Sequence, residues 1–226
     1  MLQGIPVSGG FAIGKILKLE DEPFRFDKRS YLGATTEQRR YEAALEAFTQ
    51  KTHVAASALR RIIGKEEADI FTGHIYMAHD PEMQKNIKEK IAAGFNAETA
   101  MESACDSYIE MFLNSASELT RQRAADVRDI KKSMLSVLSG GDVRAQNIPL
   151  GSVITAKEFT PSAVRFMDRR RTVAAVAEQG TRGCHFALLM RAMGIPAVLS
   201  VKNAMSALHN ADRVIVDATK GEIIKL

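Results

Sequence analysis

The chain has little cysteine. Cys105 and Cys184 are the only two in 226 residues, both fall in segments with helical periodicity, and there is no CxxC. This excludes a disulfide framework and suits a reducing compartment. No apolar run approaches the length of a membrane span, and no signal-like stretch precedes the first element, so a cytoplasmic protein with no membrane partner is expected. Metal-ligand spacing is also missing. His53, His74, His79 and His209 form no set with Cys184 and His185, and His74 and His79, five apart on a helix, point to different sides, so no metal site is expected. Basic clusters are scarce too: Asp168-Arg169-Arg170-Arg171 has no interleaved aromatics and reads as a solvated loop, which argues against a nucleic-acid partner.

What is present is an ordinary globular composition, 46% hydrophobic and 26% charged, in a chain long enough for one large domain or two small ones. The formal charge of +4 is unevenly spread. Residues 33–142 carry 14 Lys and Arg against 17 Asp and Glu, and the excess of positive charge lies outside them, which implies two surfaces with different partners.

The pattern of elements divides the chain in the same way. Residues 11–19 alternate weakly and read as a strand, and 22–30 are a charged connection broken by Pro23. Helical periodicity then takes over. Thr35 or Thr36 is placed to cap a helix with Tyr41, Leu45, Phe48, Ala55, Leu59 and Ile62 on one face, ended by Gly64. A second helix runs from Glu66 to about His79 with Ile70, Phe71 and Ile75 inward. Asp80-Pro81 starts a third, with Met83, Ile87 and Ile91 inward. Asn96 caps a fourth, carrying Ala97, Met101, Ala104, Tyr108, Met111 and Leu119, and a fifth spans about 121–138. No strand-like run interrupts this block, so it reads as an all-α bundle or pair of hairpins.

After 147–150 the pattern reverts to alternating α/β. Strands are expected at 152–156, 172–177, 197–201, 213–217 and 222–226. A short helix begins at Thr160-Pro161 and runs through Met167, a helix starts at His185, and a turn or short helix lies around Met205. The amino-terminal strand has no partner of its own. The economical arrangement puts it in the carboxy-terminal sheet, with the helical block inserted between the two ends.

The chemistry concentrates at Gly180-Thr181-Arg182-Gly183-Cys184-His185. A strand, a glycine-bearing turn and a helix that opens at the histidine place His185 in the first helical turn, where free amides and the helix dipole favour an anion. Gly180 and Gly183 let the loop backbone come close to one, and Arg182 and Arg191 can offset charge on phosphoryl oxygens. A neutral imidazole is a competent nucleophile near neutral pH, so a phosphoryl-carrying role is set beside a purely structural histidine. Cys184, beside it at the helix start, could be a nucleophile or redox switch, but no third orienting residue is readable.

The order Gly-x-Arg-x-x-His, five residues, Arg191, then Gly194-Ile195-Pro196-Ala197-Val198 resembles the phosphohistidine signature of enzymes that take phosphate from phosphoenolpyruvate. The opening Gly4-Ile5-Pro6-Val7-Ser8-Gly9-Gly10-Phe11-Ala12-Ile13-Gly14-Lys15 and the run from Arg123 to Ile130 narrow the resemblance to the amino-terminal half of the Enzyme I family of the phosphoenolpyruvate-dependent sugar phosphotransferase system. The resemblance implies an α/β phosphohistidine (swivelling) domain built from both chain ends, 1–30 and 144–226, with an inserted all-α helical-hairpin subdomain at 31–143. It implies that His185 accepts phosphate from phosphoenolpyruvate held, with magnesium, on a separate carboxy-terminal domain, and passes it to a histidine of the carrier protein HPr. It implies no cofactor in this chain and a monomeric domain.

Gly180, Arg182, Gly183 and Arg191 are then the phosphate-binding residues, and Cys184, Thr181 and Asp126 the active-site neighbours. Glu66, His74, Tyr76, Met77, Asp80 and Arg123 form the carrier-docking face. The chain departs from the family pattern at four kinds of position. Thr181 replaces the second glycine of the Gly-Gly-Arg-Thr-Ser-His lead, Gly183 and Cys184 replace its threonine and serine, Val164 replaces a threonine that bonds the histidine, and Glu67 replaces a lysine. Losing these hydroxyls implies slower or differently tuned transfer. The alternative is a non-catalytic interaction module that keeps the docking surface.

Overall fold

The computed structural model describes residues 1–19, 31–140, 148–161, 163, 167 and 169–226, with the side chains of 62, 63 and 67 left aside. The expectations for 22–30, Val164, Asp168, the Glu67 side chain and most of the 160–167 helix lie outside the described residues. The contacts gather the chain into two units. One joins the amino-terminal stretch, residues 59–67 and the carboxy-terminal stretch, and the other holds the remaining helical residues.

The first unit is built on an eight-stranded sheet. Its strands are β1 (Leu2–Gln3), β2 (Ile5–Ser8), β3 (Phe11–Leu19), β4 (Ser152–Ala156), β5 (Thr172–Ala177), β6 (Ala197–Leu199), β7 (Arg213–Asp217) and β8 (Glu222–Lys225), in the order β1-β8-β7-β3-β4-β5-β6-β2. β3 to β6 run parallel, and β7, β8, β1 and β2 add antiparallel to their neighbours. The expected placement of the amino-terminal strand is found: β3 sits between β4 and β7.

β1 and β2 escaped the sequence reading, and they shape the sheet. They lie on opposite edges yet are separated only by Gly4, and one residue spans at most about 3.6 Å, so the sheet must curl until its edges nearly meet. Gly4 is the seam. Its amide donates to the Gly221 carbonyl at 2.9 Å, and a Cβ there would lie 2.5 Å from Val201 Cγ2 and 2.6 Å from the Leu199 carbonyl oxygen. Inside the curl, Ala12, Ile16, Val153, Val176, Val198 and Val214 form one apolar cluster. β4 and β6 are buried on both faces and β5 nearly so, as their unbroken apolar runs require, whereas β3 and β7 alternate between inward and outward residues.

The helices of the other unit belong to α1 (Ala34–Ile63), α2 (Lys65–Ala78), α3 (Pro81–Ala92), α4 (Ala97–Leu113) and α5 (Glu118–Leu138). Their core is Tyr41, Phe48, Ile87, Met101, Ile130 and Met134 with smaller neighbours. Caps fix three starts. Asp80 accepts from the amides of Glu82 and Met83, Asn96 from Thr99, and Ser117 from Thr120. Two expectations are corrected. α1 opens at Ala34, so Thr35 and Thr36 lie within its first turn, not at its cap. The Ser117 cap starts α5 three residues early, which moves Leu119 from the apolar face of α4 to an exposed position on α5.

Candidate functional site

The expected loop and helix are both present. β5 ends at Ala177, residues 178–184 form the loop, and α6 (His185–Met193) follows before β6, so α6 opens beyond the carboxyl end of a parallel strand. A short α7 (Ala204–Ala207) comes after β6. The end of α6 is sharply defined. Gly194 adopts the left-handed conformation (φ 63°), and the Ile195 amide bonds back to the Met190 carbonyl at 3.0 Å.

The loop is held by its backbone. Gly180 has φ 123°, and a Cβ there would stand 2.8 Å from Leu199 Cδ1, so this position favours glycine both by conformation and by space. Ser200 Oγ donates to the Gly180 carbonyl at 2.7 Å, and the Cys184 amide closes a turn on the Thr181 carbonyl at 3.3 Å. Arg182 and Gly183 are exposed, while Thr181, Cys184 and His185 are half-buried. Cys184 is the helix N-cap and makes no side-chain cap hydrogen bond.

Two residues do more than the sequence indicated. Arg191, expected beside a phosphate, donates through Nη1 to the Val7 carbonyl (3.1 Å) and the Arg182 carbonyl (3.2 Å), tying the loop to edge strand β2. Phe186, next to His185, stacks on Phe159 with ring centroids 4.3 Å apart and an interplanar angle of 15°. Both rings are buried, which fixes the first turn of α6 against the segment leaving β4. The signal available in sequence was a large aromatic directly after the histidine.

The other expected site residues lie on the helices, some exposed and some buried. His74, assigned to the docking face, is only 4% exposed. Its Nε2 is 3.3 Å from Asp126 Oδ1, its Nδ1 is 3.5 Å from Asp129 Oδ2, and Phe71 meets the ring edge-on. Asp126, assigned as an active-site neighbour, is the buried partner of that histidine on α5. The signal was present, since 126 and 129 are one helical turn apart and face one side. Asp80 is the α3 cap, and Met77 packs partly against the helical core. Glu66, Tyr76 and Arg123 are exposed. Among the described residues no group of three or more His, Cys, Asp or Glu could hold a metal ion, and no helix is long and apolar enough to cross a membrane.

Both halves of this architecture are matched by known families. Residues 3–123 match the amino-terminal domain of PEP-utilising enzymes, and 148–221 match the mobile domain of the same enzymes. The chain belongs to the PEP-utilising enzyme family. Within that family it is similar to phosphoenolpyruvate-protein phosphotransferases. It is 36% identical over 227 residues to that of Priestia megaterium and 30% identical over 225 residues to that of Bacillus subtilis (strain 168), in each case over 99% of this chain. The chain spans 39% and 40% of the length of these two relatives. An NMR solution structure of Enzyme I superposes with a TM-score of 0.73 at 27% identity, covering 100% of this chain and 92% of that one. The amino-terminal domain of a nitrogen Enzyme I shares the fold, with a TM-score of 0.64 at 23% identity over 100% of this chain and 93% of that one.

Proposed function

We propose that these residues are the phosphohistidine-carrying part of a phosphoenolpyruvate-protein phosphotransferase. The observation that supports this most directly is His185 in the first turn of α6, with no side-chain cap hydrogen bond at Cys184 and a loop of fixed backbone in front of it. A phosphoryl group bonded to a ring nitrogen of His185 there would face helix amides and the exposed Arg182, which stabilise its oxygens. In the forward direction an imidazole nitrogen attacks the phosphorus of phosphoenolpyruvate, the N–P bond forms as the P–O bond to the enol oxygen breaks, and the enolate leaves with the electron pair and takes a proton from solvent at carbon to become pyruvate. In the second step a histidine nitrogen of the carrier attacks the same phosphorus and His185 is restored.

The donor site and its magnesium are assigned to the remainder of the longer enzyme, and the acceptor to an HPr-type carrier protein in the cytoplasm. The exposed Tyr76, Glu66 and Arg123, on helices with a net acidic sequence, suit a partner with a basic, partly apolar surface. The phosphoryl reading is tested by incubating the chain with phosphorylated HPr and measuring acid-labile phosphate. One equivalent on the wild type and none on His185→Ala is expected; binding without any transfer would overturn it.

A further inference from the structure

The loop in front of His185 rests on the exit of β6. Residues 199–201 meet it at three places. The Val201 amide donates to the Ala177 carbonyl at 2.9 Å, Leu199 Cδ1 fills the space where Gly180 would carry a Cβ, and Ser200 Oγ donates to the Gly180 carbonyl at 2.7 Å. Ser200 does this from an unusual backbone. Its φ is 55°, in the left-handed region, where a Cβ crowds the following carbonyl and glycine is the relaxed choice. Two effects oppose each other at this position: strain in the main chain, and a side-chain bond into the loop that carries the histidine. The peptide group joining Gly180 to Thr181 is planar, so a bond that aims the Gly180 carbonyl at Ser200 also fixes where the Thr181 amide points. Beyond it the Cys184 amide closes on the Thr181 carbonyl, and Arg191 holds the Arg182 carbonyl. A tilt of the 180–181 peptide is therefore carried along a bonded loop to the first turn of α6.

We propose that Ser200 is a positioning residue for phosphoryl transfer at His185, an inference that rests on the phosphohistidine reading above. Its hydroxyl proton is committed to Gly180, so it acts through the loop and not on the phosphoryl oxygens. The bond keeps the loop backbone and Arg182 in one arrangement about the ring, and a transferring phosphoryl group gains most from donors that are in place before the reaction begins. A glycine at 200 would relax the main chain but leave the Gly180 carbonyl free to turn. Serine keeps the bond and tolerates the strain. Carrier docking is assigned to α2 and α5, so Ser200 governs the rate within the bound complex and not its formation.

Transfer from phosphorylated HPr to the 226-residue chain, followed at several carrier concentrations beside urea unfolding, tests it. Ser200→Ala removes the hydroxyl and keeps the strain, whereas Ser200→Gly removes both. Each variant is expected to lower the transfer rate at saturating carrier about tenfold, with the half-saturating concentration unchanged. Their stabilities should part: Ser200→Gly unfolds at a higher urea concentration than Ser200→Ala, because only glycine relaxes at this φ. A purely structural serine would make rate follow stability, with Ser200→Gly the faster variant, and that result overturns the proposal. So does wild-type speed in both variants, and so does a change confined to half-saturation, which would place Ser200 in carrier docking. A wild type that takes no phosphate overturns instead the phosphohistidine reading, and the positioning role falls with it.

Discussion

At the scale of single residues, Gly180 and Thr155 show how differently two positions in the sheet unit constrain the chain. Gly180 combines a positive φ with a crowded Cβ position, so Gly180→Ala has to strain the backbone or displace Leu199. A loss of about 1–3 kcal/mol is expected from urea unfolding, together with slower phosphate uptake at His185, five residues on. Thr155 presents the opposite case. It is fully buried in β4, and its hydroxyl has no hydrogen-bond partner among the described residues. Thr155→Val keeps the shape and removes the orphan oxygen. Unfolding of this variant should therefore show equal or greater stability, by up to about 1 kcal/mol, where most core substitutions are destabilising. The residue scale is also where the sequence was hardest to read. The histidine and its glycine loop were legible because their chemistry is local. The tie from Arg191 to Val7 was not legible because the two are 184 positions apart, nor was the burial of His74, which depends on α5 packing over it.

At the scale of elements, helical periodicity was the clearest signal: α3 and α4 begin where their caps predict, and α2 within a residue of its expected start. What periodicity does not carry is how the ends of the helices are joined. Arg40 on α1 shows the mechanism. Its guanidinium pairs with Glu37 at 2.7 Å and with both carboxylate oxygens of Glu98 at the start of α4, and it reaches the Leu138 carbonyl at the end of α5. Glu37 accepts in addition from the Ala97 and Leu32 amides. Burial opposes the charge on Glu37, but the two amides and Arg40 outweigh it and hold its carboxyl below the usual carboxylate range. A depressed carboxylate contributes stability that is complete above its unfolded value, near 4.5, and is lost as pH falls through the lower folded value. Arg40→Met leaves two buried carboxylates without their cation. A loss of roughly 3 kcal/mol near neutral pH is expected, and a flatter dependence on pH below about 4.5, read from urea unfolding of the helical signal across that range. A loss of equal size at every pH would show that Arg40 contributes packing and not charge.

At the scale of the whole molecule, element order permitted, and the family resemblance implied, a sheet assembled from both ends of the chain with the helices inserted between them. They were not enough to foresee its closure. β1 and β2 together have six residues, too few for a periodic signal, and the contacts that close the curl pass through Gly4, whose neighbours Leu199 and Val201 are nearly two hundred positions away. The histidine, its loop and the exposed residues of α2 and α5 lie within the 226 residues, while the relatives that carry the complete activity are more than twice as long. Transfer between two protein histidines breaks one N–P bond and makes another, so the proposed step between His185 and a carrier would be close to balanced and would run in either direction. Transfer from phosphoenolpyruvate needs a site that binds the enol phosphate with magnesium. These residues alone should therefore gain an acid-labile phosphate, seen as a mass increase confined to the peptide holding His185, from phosphorylated carrier protein and not from phosphoenolpyruvate with magnesium. Labelling by phosphoenolpyruvate alone would show that the donor site lies within these units, and the division of labour proposed for the longer enzyme would have to be redrawn.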